Sequence, residues 1–141
     1  MNGDIGKDFA HGDLTGRVLQ AAFEVSNQLG CGFLENVYEN ALSAELSSRG
    51  MEVSRQVPIR VIYKNQTVGE YRADLIVESQ VLVEVKATIE HHKLYVAQTL
   101  NYLRATGLGV GLLLNFGRPK LMYRRLVLSG ATEEAEGSGP L

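Results

Sequence analysis

The spacing of apolar positions divides the chain into helical and extended segments. From Leu14, the residues Val18, Ala21, Ala22, Val25 and Leu29 recur at three- and four-residue steps. This predicts an amphipathic helix with Asp13 as its N-cap, ended by Gly30-Cys31-Gly32. A second helix is predicted in FLENVYENALSAELSSRG, with Leu34, Val37, Tyr38, Ala41, Leu42 and Leu46 as its buried stripe and Gly50 as its stop. Glu35 borders that stripe, so its carboxylate looks toward the edge of the core; as a first-turn residue it also suits the helix dipole.

The period then changes from about 3.6 to two. Met51 to Ile62 alternates and is rich in β-branched residues, with Pro58 indicating an edge position or an irregularity. Lys64-Asn65-Gln66 forms a turn, Thr67 to Glu78 a second strand, and Val81 to Lys86 a third after a tight turn at Ser79-Gln80, which makes a three-stranded meander. His92 to Thr106 is a helix bounded by Gly107, with a predicted stripe of Leu94, Ala97, Gln98, Asn101, Tyr102 and Ala105. Amides and a phenol on a face that packs on a sheet need hydrogen-bond partners. Gly109 to Asn115 and Leu121 to Leu128 close the domain around the turn Phe116-Gly117-Arg118-Pro119. The order is α, α, β, β, β, α, β, β.

Candidate chemistry sits on the meander. In VLVEVK, Glu84 and Lys86 share one strand face, and Asp74 lies ten residues before Glu84 in the preceding apolar run ADLIV. The hairpin can therefore bring two carboxylates and one ammonium together. A Glu-x-Lys pair is also a common solvent-facing pattern, but charges inside hydrophobic runs are costly unless coordinated or hydrogen-bonded. Mg²⁺ accepts one or two carboxylates and keeps its other positions for water and phosphate. Asp74 and Glu84 are thus candidate metal ligands, and Lys86 the cation beside them.

Composition narrows the setting. The chain has 141 residues, 45% hydrophobic and 21% charged, which fits one globular domain, and no apolar run approaches a membrane span. The N-terminus MNGDIGKDFAHGD lacks the basic-then-apolar order of a secretory signal, so a cytoplasmic setting is expected. Cys31 is alone and is read as a small turn residue. The acidic residues at both ends leave the middle mildly basic, with Arg118, Lys120, Arg124 and Arg125 forming a modest patch near its end. The expected organisation is a flexible N-terminus over 1–13, a domain over 14–128 and a disordered acidic tail over 129–141.

With these residues in place, the chain resembles the PD-(D/E)xK phosphodiesterase superfamily, whose restriction-endonuclease-like αβββαβ core is an α/β fold with a mixed sheet flanked by helices. Asp74, Glu84 and Lys86 match its signature, although Arg72-Ala73 replace the usual proline before the aspartate. More closely, Gly32, Glu35 and Tyr38 together with QTLNYLRATGLGVGLLLNFG resemble the bacterial GxxExxY family. Gln98 and Tyr102 resemble the Q-x-x-x-Y helix of RecB-type nucleases. The resemblance implies a DNA or RNA nuclease using Mg²⁺ or Mn²⁺ at Asp74, Glu84 and a carbonyl near Val85, with Lys86 acting on water and phosphate. Glu35 would extend the site, and Gln98 and Tyr102 would hold Lys86 or a substrate phosphate. His92 is a weaker candidate, and Tyr38 is better read as a core aromatic. A small domain leaves little surface for sequence readout, so low specificity, a homodimer or a borrowed partner is expected. A silent nuclease-fold module that binds nucleic acid or protein, and a protein in which the carboxylates are structural, stay open as alternatives.

Overall fold

A computed structural model of the chain describes residues 12–90, 93–129 and 131–137. Its elements are helix α1 (Gly12–Leu29), helix α2 (Glu35–Ser48), strands β1 (Val53–Tyr63), β2 (Gln66–Val77) and β3 (Val81–Lys86), helix α3 (Lys93–Thr106), and strands β4 (Val110–Asn115), β5 (Met122–Ser129) and β6 (Ala131–Gly137). Among the described residues no helix is long and apolar enough to cross a membrane. Helix α1 already includes Gly12, so Asp13 is a first-turn acid favouring the helix dipole and not the cap. Residues 1–11 of the expected flexible N-terminus lie outside the described residues.

The strands form one sheet in the order β1-β2-β3-β4-β5-β6. Only β3 and β4 run parallel; the other neighbours are antiparallel. The expected mixed sheet and α/β order are therefore present, and α3 is the crossover that a parallel pair requires. β1 is an edge strand, the position in a sheet that tolerates a proline such as Pro58. The turn between β2 and β3 falls one residue earlier than expected: Glu78 and Ser79 both have positive φ, and the Gln80 N–H closes it on the Val77 carbonyl at 3.0 Å.

Two cores cover the faces. Val18, Ala22 and Val25 of α1 and Tyr38, Leu42 and Leu46 of α2 pack on Leu75, Val83, Val85, Leu112 and Leu114. On the other face Leu103 and Tyr102 of α3 pack with Ile59, Ala73, Leu82 and Leu126. Strand residues two apart ordinarily share a face, yet Val53, Leu75 and Val77 belong to the first core while Val57, Ile59 and Ala73 belong to the second. The switch occurs where Gln56 lies between Arg55, paired with Leu75, and Val57, paired with Ala73. Gln56 has φ 49°, in the left-handed region that non-glycine residues rarely occupy. The far arm of the β1–β2 hairpin is thereby turned over toward α3.

Three expectations need correction, two of them about buried faces. Leu34 precedes α2 with extended backbone (ψ 157°) and is 76% exposed, because the stripe begins only where helical geometry begins. The stripe predicted for α3 is out of phase: Leu94 is 77% exposed and Asn101 is exposed, while Val96, Thr99, Leu100 and Leu103 turn inward. The more continuous apolar row wins the sheet, and Tyr102 lies where the two rows meet. Helix α3 sits low on that sheet because Gly111 leaves room; a Cβ there would lie 3.3 Å from Thr99 Cγ2 and 3.4 Å from Leu103 Cδ2. Finally, residues 131–137 of the tail expected to be disordered form β6, whose register sets Arg124 opposite Glu136 and Arg125 opposite Ala135. Composition predicts disorder from side chains, whereas the open backbone edge of β5 templates pairing whatever the side chains are.

Tyr38 is a structural residue. It is fully buried, stacks on Phe116 with centroids 4.8 Å apart, donates its hydroxyl proton to the Gly30 carbonyl at 2.7 Å and accepts the Phe33 N–H at 3.2 Å. It thus ties the α1–α2 loop to the core just before Glu35. Gly30 itself ends α1 with φ 68°. Tyr38→Phe keeps the stack and removes both hydroxyl bonds. A loss of about 1 to 2 kcal/mol is expected in chemical denaturation, with the far-ultraviolet circular dichroism of the folded protein unchanged.

Candidate active site

The ladder between β2 and β3 pairs Val77 with Val81, Ile76 with Leu82 and Leu75 with Val83, and the next opposed pair is Asp74 and Glu84. There the strands part, and carboxylates replace carbonyls as acceptors. The Asp74 N–H donates to Glu84 Oε2 at 2.9 Å, and the Val85 N–H donates to Asp74 Oδ2 at 2.8 Å. Each acid thereby caps the other strand, which fixes both carboxylates in the fork and brings them together as the alternation predicts. One oxygen of each is used in this way. Asp74 Oδ1 has only a long contact of 3.5 Å from Gln56 Nε2.

The fork is poorly solvated. Burial, followed by the charge of Asp74, pushes the Glu84 carboxyl from 4.5 up to about 8. Burial also raises the pKa of Asp74, where the Val85 N–H opposes the shift and the charge of Glu39 adds to it. Lys86 is the cation of the group, and its charge lowers the pKa values of both acids and of Glu35. It follows Glu84 by two positions and so shares its face. Its ammonium donates to Gln98 Oε1 at 3.3 Å and lies 4.7 Å from the centre of the Tyr95 ring. Tyr102, one turn beyond Gln98, is held at about 12 by burial and by the charges of Glu84, Tyr71 and Asp74, so its phenol stays protonated. Glu35, in the first turn of α2, is exposed as a residue, yet partial desolvation leads the causes that raise its pKa, with Asp74 and Glu39 adding and Lys86 opposing. Strand β3, hairpin arm β2 and helices α2 and α3 all converge on this point.

Three neighbours were missed in the sequence. Glu39, one turn after Glu35, is 7% exposed and accepts from Gln56 Nε2 at 3.0 and 2.9 Å and from Arg55 at 3.2 Å. Arg55 also bonds the Asn40 side-chain oxygen. Gln56 spans from Glu39 to Asp74, a bridge made possible by its unusual backbone. The spacing of Tyr95 three residues before Gln98 is a signal that the misphased stripe concealed; nothing in the sequence announces the left-handed Gln56. Other candidates fall away from the fork. Arg125 is buried and Arg124 half-buried, and Arg118 donates to the Ile89 carbonyl at 2.8 Å, so the basic run is not one open patch. Cys31 is a free, exposed thiol in the turn, and His92 lies outside the described residues.

A family model described as the PD-(D/E)XK nuclease superfamily matches residues 12–126. The chain belongs to the PD-(D/E)XK nuclease superfamily. No curated protein and no solved structure matched it. Ala73 stands at the position before the signature aspartate, buried against α3 in the second core. Members of the superfamily generally use divalent metal ions. Among the described residues no group of three or more His, Cys, Asp or Glu side chains forms a ready-made metal cluster. The donors present are two carboxyl groups, each with one oxygen not committed to the backbone, whose burial and mutual repulsion disfavour a second negative charge. Such an oxygen-only set fits a hard cation that keeps water ligands, and not a four-ligand zinc site.

The pKa shift of Glu84 gives a signed expectation. Between 4.5 and about 8 the folded state holds a proton that the unfolded chain has lost, so the contribution of Glu84 to stability is fully present below 4.5 and is lost as pH rises through about 8. In metal-free protein the melting temperature should fall across this window, and Glu84→Gln should flatten the fall. Adding Mg²⁺ or Mn²⁺ at pH 8 should raise the melting temperature of the wild type by several degrees and leave Glu84→Gln nearly unmoved, read by thermal denaturation at each pH.

Proposed function

We propose that the protein is a metal-dependent phosphodiesterase, cleaving DNA or RNA at the Asp74–Glu84 fork. The observation that carries this reading is the fork itself: two desolvated carboxylates with uncommitted oxygens beside an ammonium held in place by Gln98 and Tyr95. Superfamily membership supports it independently. The approach of Glu35 from α2 and of Gln98 and Tyr102 from α3 further favours the RecB-type arrangement, with Gly32, Glu35 and Tyr38 agreeing with the GxxExxY pattern.

Asp74, Glu84 and the Val85 carbonyl would hold Mg²⁺ or Mn²⁺. When bound, such an ion polarises a phosphoryl oxygen and lowers the pKa of an attacking water. The remaining work falls to the chain. Lys86 presents a fixed positive charge where negative charge grows on the phosphoryl oxygens, and a preoriented cation in a desolvated site acts more strongly than one in water. Gln98 accepts from Lys86 and so restricts the ammonium to that side. Tyr102 remains a neutral donor beside the carboxylates, and Glu35 extends the acidic side toward a second ion or water.

The variants separate chemistry from binding. With Mn²⁺ present, Lys86→Ala should lower cleavage of labelled oligonucleotides by at least about a hundredfold, the usual scale for loss of one preorganised electrostatic group, while Mn²⁺ affinity by calorimetry stays within a few-fold. Asp74→Ala should lose both. If wild-type protein with Mn²⁺ cuts none of a panel of linear, circular, single-stranded and branched DNA and RNA yet binds some of them, the silent binding module replaces the nuclease.

A further inference from the structure

The misphased face of α3 has a counterpart. Leu94, Ala97, Asn101 and Ala105 are exposed; across from them the turned-over arm of the hairpin presents Arg60, Ile62 and Tyr71, and a groove of about 890 Å³ lies between. Gln98 and Tyr102 line this groove and also belong to the fork, since Gln98 accepts from Lys86 and Tyr102 feels the charges of Glu84 and Asp74. The groove therefore reaches the Gln98 amide whose oxygen accepts from Lys86.

Its walls have a definite chemistry. Tyr71 is 50% exposed and leans on Tyr102 with centroids 5.7 Å apart, so a firm aromatic surface faces outward. Ile62 and Leu94 are 56% and 77% exposed. Arg60 and Arg104 supply two guanidinium groups, and no acidic residue is among the described lining residues. An occupant must offer flat apolar faces to Tyr71 and Ile62 and repeated negative charge to the arginines. A base-paired duplex hides its base faces inside the stack, while an unpaired strand offers both a base and a phosphate at every step. The volume lies in the roughly 300–1,000 Å³ range of ligand clefts, enough for a short stretch of strand. A second copy of the chain or a peptide would meet the apolar wall, but neither offers a flat ring and a negative charge at every step as an unpaired strand does.

We infer that the groove between α3 and the β1–β2 arm binds an unpaired nucleic-acid strand, with a base against Tyr71 and phosphates at Arg60 and Arg104, and feeds it toward Lys86. This names the substrate form for the phosphodiesterase reading and rests on it only for the direction toward Lys86. The test is fluorescence anisotropy on full-chain Lys86→Ala protein in Mg²⁺, with labelled single-stranded DNA, single-stranded RNA and a DNA hairpin duplex as probes. At least one single strand should bind about tenfold more tightly than the hairpin. Tyr71→Ala should weaken that binding about tenfold, the scale of one lost base–aromatic stack, while Tyr71→Phe retains it. Arg60→Ala and Arg104→Ala should each reduce the salt slope by about 0.7, as for one phosphate contact on a single strand. All variants are first checked for unchanged melting temperature; Arg60 is exposed, so its variant keeps the test decisive if Tyr71→Ala is unstable. Equal or tighter binding of the hairpin, or salt slopes unmoved by both arginine variants, overturns the inference. So does a dimer broken by Ile62→Asp in a protein that binds no strand. If wild-type protein cuts duplex but not single strands, this inference fails and the nuclease reading stands. If single strands bind as described and nothing is cut, the nuclease reading fails and the groove assignment stands.

Discussion

Two acidic side chains at the end of a β-ladder are tolerated because they take over the ladder's own hydrogen bonds. The Asp74 and Val85 N–H groups would be unsatisfied where β2 and β3 part, and the crossed bonds to Glu84 and Asp74 supply their acceptors. This constraint sets most of what surrounds it. β3 must remain parallel to β4 and buried, so that its fork end is held while β2 leaves; β2 must turn with β1 as a unit; and a cation must stand close by, which Lys86 does. Burial still leaves the acids harder to ionise than in water, and that imbalance weakens the fold as pH rises.

The turn of the hairpin is carried by one residue. Gln56 adopts a backbone conformation that costs a β-strand residue on the order of 1 kcal/mol, and its amide, bonded to both oxygens of Glu39, offsets that cost. Beyond Gln56 the faces of β1 and β2 exchange, so one hairpin contributes Leu75 to the first core and Ala73 to the second. Without that exchange the distal arm would not face α3, and neither the Tyr71–Tyr102 contact nor the groove would exist.

Much of this was legible in the residues. The alternation of VLVEVK placed Glu84 and Lys86 together, and the apolar run around Asp74 signalled a carboxylate needing partners; both are local patterns with one structural solution. The order of elements was equally clear, because Gly30, Gly50 and Gly107 stop helices by conformational necessity. What failed depended on the partner surface. The buried side of α3 is decided by what the sheet offers, and a helix carrying both an apolar row and an amide-bearing row does not declare which row wins. Leu34 looked like the start of a stripe because periodicity does not mark where helical dihedrals begin. Glu39 and Gln56 were missed since their roles come from a bridge across sixteen to eighteen positions of chain and a left-handed strand residue. Strand β6 was missed because backbone pairing leaves no mark on composition.

Gly111 bears on all of this from beneath. It lies on β4, contributes no functional group and touches neither carboxylate, yet it fixes how closely α3 approaches the sheet, and α3 carries Tyr95, Gln98 and Tyr102. A methyl group at that position would meet Thr99, Leu103 and the Leu82 carbonyl at 3.3 to 3.4 Å, and any relief taken by the helix would lift Gln98 away from Lys86. The standoff between helix and sheet is thus an adjustable dimension of the fork, and the reach of the Lys86 ammonium can be retuned from the floor beneath the helix without altering any side chain of the fork itself.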